Sequence, residues 1–195
     1  SLKRSGLYDR IRNILEESGK HVVDFGGIMP NPTYAKVKEG AQVAKENDVD
    51  FILAVGGGSV IDCCKIISAQ SLTEEDIWDM LYTEKRVPTR FIPIGAVVTA
   101  SGTGAEQNNG AVITNEDKKL KQPLFGAYHR FAVLDSDLTL TLPMKQVISG
   151  AFDTLSHCME TYMGQPVADN VSDEINETIM RNVIKNLRAI IANPA

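Results

Sequence analysis

The sequence predicts an α/β fold built on a parallel sheet, followed by the start of an all-helical domain. Three observations predict it. Helical and strand-like patterns alternate from Ser5 to Asp135, as they do when helices cover both faces of a parallel sheet. The apolar run Phe51-Ile-Leu-Ala-Val55 leads straight into Gly56-Gly57-Gly58 and then into a helical segment. After Asp135 only long helical patterns remain. That change puts a boundary near Thr141, with residues 1–140 as the sheet domain and 141–195 as the beginning of a helical one.

The elements follow in order. Leu7, Ile11, Ile14 and Leu15 stand at helical spacing, with Ser5 as N-cap and Gly19 at the C-terminal end. His21 to Phe25 reads as a strand. Gly26-Gly27 and Pro30-Asn31-Pro32 make a loop, because proline keeps the residue before it out of the helical region. Thr33 opens a second helix, with Tyr34, Val37, Val43 and Ala44 inward, ending near Asn47-Asp48. The strand at Phe51 follows, and a third helix covers Val60 to Ala69. Thr73 to Tyr82 is a short helix with an acidic first turn. Arg90 to Thr99 is a strand in which Pro93 marks an edge or a bulge. Ala111–Thr114 and Leu124–Gly126 flank the polar turn 115–119 as a hairpin, and Phe131 to Asp135 is the last strand.

Two long helices close the chain. Pro143 fits the first position of a helix to about Met163. Its apolar stripe reads Met144, Val147, Ile148, Ala151, Phe152, Leu155, Met159 and Tyr162. The last helix, about Asp169 to Ile191, turns Val171, Ile175, Ile179, Val183, Leu187 and Ile190 inward.

Composition narrows the function. The 195 residues are 43% hydrophobic, so the chain can bury a core. A net charge of −5 without a basic cluster argues against a nucleic-acid partner. No stretch is long and apolar enough to span a bilayer, and the polar N-terminus does not read as a signal peptide. Three cysteines, with Cys63 and Cys64 adjacent, do not form a disulfide framework, which points to a reduced, cytoplasmic protein. A start with a helix rather than a strand suggests that the chain is part of a longer one.

Two constellations carry chemistry. Strand, glycine turn and helix start at 51–62 is an arrangement that binds phosphate: glycine admits an anion close to the backbone, and the first helical N–H groups point at it. Such a turn also serves without a ligand, and Ser59 with Asp62 fits a variant capping box. Asp153 and His157, four apart, share a helix face with Gly150 and Glu160. Carboxylate oxygen and imidazole nitrogen suit ferrous iron or zinc. The alternative is a solvated face carrying a weak Asp–His pair, and two donors fall short of the three that a site needs. The run Ala100 to Gly110, small and polar, reads as a solvated loop or a second phosphate loop. His21 and His129 read as partly buried structural residues.

The motifs together resemble the iron-containing (group III) alcohol dehydrogenase family, in particular its NADPH-dependent butanol dehydrogenase branch. They are Gly26-Gly27 with Pro30-Asn31-Pro32-Thr33; Gly56-Gly57-Gly58-Ser59 with Asp62; Thr99 with Ser101-Gly-Thr-Gly-Ala-Glu106; Phe131-Ala-Val-Leu-Asp135; Leu142-Pro143; and Gly150 with Asp153, His157 and Glu160. They occur in the family's order across nearly the whole chain.

The resemblance implies a Rossmann-like sheet domain and the start of a helical metal-binding domain, the truncated first half of a dehydroquinate synthase-like superfamily fold. It implies that Gly57, Gly58 and Ser59 hold a dinucleotide pyrophosphate, and that Asn31 and Thr99 line the adenosine side. Asp62 and Lys121 lie toward the nicotinamide and its ribose, Lys118 and Lys119 sharing the turn with Lys121. Asn108 is a further cofactor contact, and Asp153 and His157 are the first two metal ligands. Two more histidine ligands belong to later helices of the family, and the turn that separates NAD from NADP precedes this chain. The implied cofactors are NADP(H) rather than NAD(H), and Fe2+ with Zn2+ as the alternative. The implied activity is hydride transfer to or from a small alcohol or aldehyde such as butanol or butanal, in a homodimer when full length. A glycerol dehydrogenase-like polyol oxidoreductase and a nucleotide-binding module without catalysis are the rival readings.

Overall fold

The computed structural model describes residues 5–164 and 170–193. The chain runs α1 (Leu7–Glu17), α2 (Tyr34–Glu46), β1 (Ile52–Gly56), α3 (Gly58–Gln70), α4 (Ile77–Tyr82), β2 (Ile94–Val98), β3 (Gly110–Asn115), β4 (Leu120–Phe125), β5 (His129–Val133), α5 (Met144–Tyr162) and α6 (Val171–Ala192). Short 3-10 turns sit at Ala105–Gln107 and Ser136–Thr139. Strands β1, β2 and β5 form a parallel sheet in that order, and β3 and β4 form a separate antiparallel hairpin. The expected α/β alternation is therefore present, with no strand after β5 among the described residues.

Helix α3 is the hub. Its Ile61 and Cys64 pack on Ala54, Ala96 and Val98 of the sheet. Its Cys63, Ile66, Ile67 and Ala69 pack on Tyr34 and Val37 of α2, Ile77 and Trp78 of α4, and Ala111, Ile113 and Leu124 of the hairpin. A helix buried on every side has little amphipathic pattern, in keeping with its run of apolar and small residues. Burial raises the thiols of Cys63, to about 12, and of Cys64, so both stay protonated at neutral pH.

Several expectations are corrected. Residues 21–25 join no ladder among the described residues, because β-branched sequence favours extension but pairing needs a neighbouring edge. Phe25 is still anchored, packing on the core beneath the Lys36 ammonium, 4.3 Å from the ring centroid. Gly6, not Ser5, caps α1. Helix α4 starts at Ile77 rather than Thr73, because the Asp76 side chain accepts the Asp79 N–H and ends the preceding turn. Strand β2 lies in the centre of the sheet, so Pro93 is not on an edge strand. It stands just before β2, where its carbonyl accepts the Ile52 N–H and no donor is required of it. The register irregularity falls beyond it, between Ile94 and Ala96, opposite an extra residue of β5.

The two long helices pack differently from their stripes. Val147, Ala151 and Thr154 of α5 face Val183 and Leu187 of α6 across a small cavity, and Cys158 is buried on the same side. Phe152 and Met159, expected inward, are 61% and 44% exposed, and Tyr162 is also exposed. Val171, Ile175, Ile179 and Ile190 of α6 are exposed as well, while Asn176 and Leu187 are buried. Periodicity marks an apolar face but does not say which part of it a neighbour reaches. Pro143 is the cap of α5 rather than its first residue. Asn170 caps α6 in a reciprocal box with Asp173; Asp169, the expected start, lies outside the described residues.

Tight backbone contacts hold the hairpin on α3. A Cβ on Gly126 would stand 2.5 Å from the Lys65 carbonyl oxygen. Gly126→Ala should therefore destabilise the fold by about 1–3 kcal/mol. Gly26→Ala, whose Cβ meets nothing within 4 Å, should stay within about 0.5 kcal/mol. Urea unfolding midpoints of the two variants check both values.

Candidate functional site

The site is built where the sheet's C-terminal ends meet α5. Strand β1 ends at Gly56, whose carbonyl accepts the Thr99 N–H at 3.0 Å, so the loops after β1 and β2 start side by side. Gly57 is the N-cap of α3, and no side chain caps that helix. The capping-box expectation is thus overturned: Ser59 lies inside the helix, and Asp62 Oδ2 accepts the Val112 N–H of β3 at 3.1 Å. The leading N–H groups of α3 consequently face outward with partial positive charge. A Cβ on Gly57 would sit 3.4 Å from that of Ala100, so the two loops touch.

Before them lies a cavity of about 390 Å3. Asn31, Gly58, Ser59, Asp62, Lys121 and Asp153 border it, together with the backbone-rich segment 100–106. That segment is partly exposed, with Ala105 buried in the core, and is at the same time one wall of the cavity. Asn31 holds a left-handed backbone (φ 57°) between its two prolines, and its Oδ1 accepts the Lys121 ammonium at 2.8 Å. The Thr114 N–H bonded to the Pro32 carbonyl ties this loop to β3. Of the three neighbouring lysines, Lys121 borders the cavity and Lys118 pairs with Asp79. Thr99, the residue after β2, and Asn108 do not border the cavity; the Asn108 Oδ1 accepts the Lys65 ammonium instead.

Two glycines bring α5 to this place. A Cβ on Gly150 would lie 2.6 Å from the Ser101 carbonyl oxygen, and one on Gly102 would lie 2.8 Å from Asp153 Oδ2. Helix and loop backbones therefore approach as closely as bare backbone allows. Asp153, one turn beyond Gly150, reaches the cavity. His157 follows, with Nε2 3.8 Å from Asp153 Oδ1 and Nδ1 3.7 Å from Glu160 Oε2. Both distances are too long for hydrogen bonds, so the two donors are neighbours that do not occupy each other. A carboxylate and an imidazole, each about half exposed, fit part of a ferrous or zinc coordination shell. Among the described residues no third His, Cys, Asp or Glu completes a metal-binding group.

Sequence reasoning passed over Lys65, which is fully buried next to Asp62. The available signal was an acid and a lysine three apart on an otherwise apolar helix. His129 is partly buried, as expected, but both its ring nitrogens are buried without a hydrogen-bond partner; His21, expected partly buried, lies exposed. Burial, then the charge of Lys65, lowers the His129 pKa and favours the neutral imidazole.

Comparison with known proteins places the sequence and fold in a family. The family model described as iron-containing alcohol dehydrogenase matches residues 1–136. The chain is 40% identical over 195 residues to probable NADH-dependent butanol dehydrogenase 1 of Bacillus subtilis (strain 168), covering 98% of this chain and 50% of that protein. It is 38% identical to the NADPH-dependent aldehyde reductase YqhD of Escherichia coli (strain K12), covering 95% of this chain and 49% of that one. The crystal structure of NADH-dependent butanol dehydrogenase A from Thermotoga maritima superposes with a TM-score of 0.92 at 37% identity, over 99% of this chain and 48% of that one. The chain spans about half the length of the curated relatives it matches. The chain belongs to the iron-containing alcohol dehydrogenase family.

Proposed function

We propose that the whole protein is a metal-dependent alcohol dehydrogenase or aldehyde reductase. It transfers hydride between NAD(P)H and a small primary alcohol or aldehyde of the butanol and butanal kind. One observation carries the reading: a single cavity is bordered by the uncapped start of α3 on one side and by Asp153 on the other. A charged dinucleotide and a metal-held substrate oxygen belong at those two positions.

The chain's own residues divide the work. The N–H groups at Gly57, Gly58 and Ser59 offer donors and partial positive charge to a pyrophosphate. Asn31 and Thr99 serve the adenosine side, Asp62 and Lys121 the ribose next to the nicotinamide, and Asn108 supports the wall from behind. Asp153 and His157 supply an oxygen and a nitrogen to Fe2+, or to Zn2+, with the remaining donors from elsewhere in the protein. When bound, the ion supplies Lewis-acid polarisation of a carbonyl oxygen, and the nicotinamide supplies the hydride. The domains at 1–140 and 141–195 would then be the two walls of the cleft. Relatives that are named for NADH and for NADPH share the scaffold. The rival reading, nucleotide binding without catalysis, is favoured for this segment alone by its two-donor set.

Two experiments test the proposal. NADPH at 100 times its Kd should stabilise the protein by about 2.7 kcal/mol, visible as a rise in melting temperature. Titrating NADH in parallel tests the preference for NADP(H), and a lower Kd for NADH overturns it. Asp153→Ala and His157→Ala should each lose bound metal, measured by elemental analysis. Affinity should fall by at least the roughly 10–100-fold that outer-shell partners cost, with aldehyde-dependent NADPH oxidation falling alongside. Full metal content in both variants would remove the assignment.

A further inference from the structure

The core of α3 contains one charge. Lys65 has 0% relative exposure, in the middle of a helix whose neighbours on every side are apolar. A buried ammonium persists only where hydrogen bonds and an opposite charge answer it. Here Nζ donates to Gly110 O at 2.7 Å and to Asn108 Oδ1 at 3.0 Å, and lies 3.6 Å from Asp62 Oδ1. Packing alone does not call for this arrangement, because a Met of similar volume would fill the space without desolvating a charge.

All three partners belong to the cofactor cavity or its support. Asp62 borders the cavity, with its Oδ2 fixed by the Val112 N–H and its Oδ1 facing Lys65. Asn108 and Gly110 follow the loop 101–106, which forms the cavity wall. One ammonium thus joins the floor of the cavity on α3 to its wall and to β3. We infer that Lys65 is a positioning residue for the dinucleotide: it keeps the Asp62 carboxylate ionised and aimed into the cavity, and it holds the 101–110 loop in place through Asn108 and Gly110. The inference rests on the dinucleotide reading given above.

Burial lowers the pKa of the Lys65 ammonium, and the nearby Asp62 carboxylate opposes that shift. Burial pushes the Asp62 carboxyl up, and the Val112 N–H and the charge of Lys65 pull it back. Without Lys65 the upward push is opposed by the Val112 N–H alone among these contacts, so Asp62 takes up its proton at a higher pH. The other titratable groups nearby are Glu106 and the neutral His129, which face Lys65, and Lys121 and Asp153, which border the same cavity. All four are unchanged in the variants below.

The test measures NADPH and NADH affinity by fluorescence titration from pH 5 to 8 on the full-length protein, its Lys65→Met and Asp62→Asn variants, and the double variant. Binding should weaken as pH falls through the Asp62 pKa. In Lys65→Met this acid limb should move upward by about one unit or more, the lower end of what one opposite charge contributes. Affinity at pH 7 should fall roughly tenfold, the cost of a lost charge-assisted hydrogen bond. Asp62→Asn should abolish the limb, and adding Lys65→Met to it should cost much less than in the parent, because the two act together. Wild-type affinity with an unmoved limb in Lys65→Met overturns the inference, and so do fully additive losses. If Lys65→Met does not fold, Asp62→Asn decides: a persisting acid limb overturns the role assigned to the pair. A parent protein that binds neither dinucleotide refutes the underlying reading instead, which keeps the two failures apart.

Discussion

The complete burial of α3 is the constraint on which the rest of the structure depends. Sheet, hairpin, α2 and α4 all meet on this one helix. Each fully buried Ile on it contributes about 1.5–3 kcal/mol relative to exposure, so the packing around Ile61, Ile66 and Ile67 fixes the direction of the helix. That direction fixes where its first turn points. The uncapped N-terminus, the chemically useful end, is thus aimed by apolar contacts that carry no functional information themselves.

Glycine converts this packing into a site. Gly57 lets the loops after β1 and β2 touch, and Gly150 and Gly102 let α5 press against the second loop. A methyl group at either of the last two positions would push into a carbonyl or into Asp153 itself. The separation between the uncapped start of α3 and Asp153 is therefore set by backbone approach rather than by long side chains. Such spacing is stiffer than a chain of rotamers, as the proposed hydride transfer would require.

Polar groups within the apolar mass follow the same logic. Tyr34 donates to Gln70 Oε1 at 2.8 Å and accepts the Trp78 N–H, and Ser68 donates to the Ile92 carbonyl at 2.6 Å, so each buried polar side chain answers a backbone or side-chain need. Lys65 belongs to this class by geometry and differs from it by charge. His129 departs from the rule, since its two buried nitrogens find no partner.

By itself the sequence determined the order of elements from α2 onward, the glycine turn, the hairpin and the one-turn spacing of Asp153 and His157. These depend on local periodicity and on turn chemistry, which neighbouring residues settle among themselves. Only the tertiary structure decided which extended segments find a partner: residues 21–25 are as β-branched as a strand yet join no ladder, while the proline-led β2 takes the centre of the sheet. It also decided that Ser59 does not cap α3, because the strand hands over at Gly57 and turns Asp62 toward Val112. The buried faces of α5 and α6, the meeting of Asn31 with Lys121 and the enclosure of Lys65 are contacts between residues far apart in the chain. Pattern along the chain cannot record them, because they exist only once separate elements are pressed together.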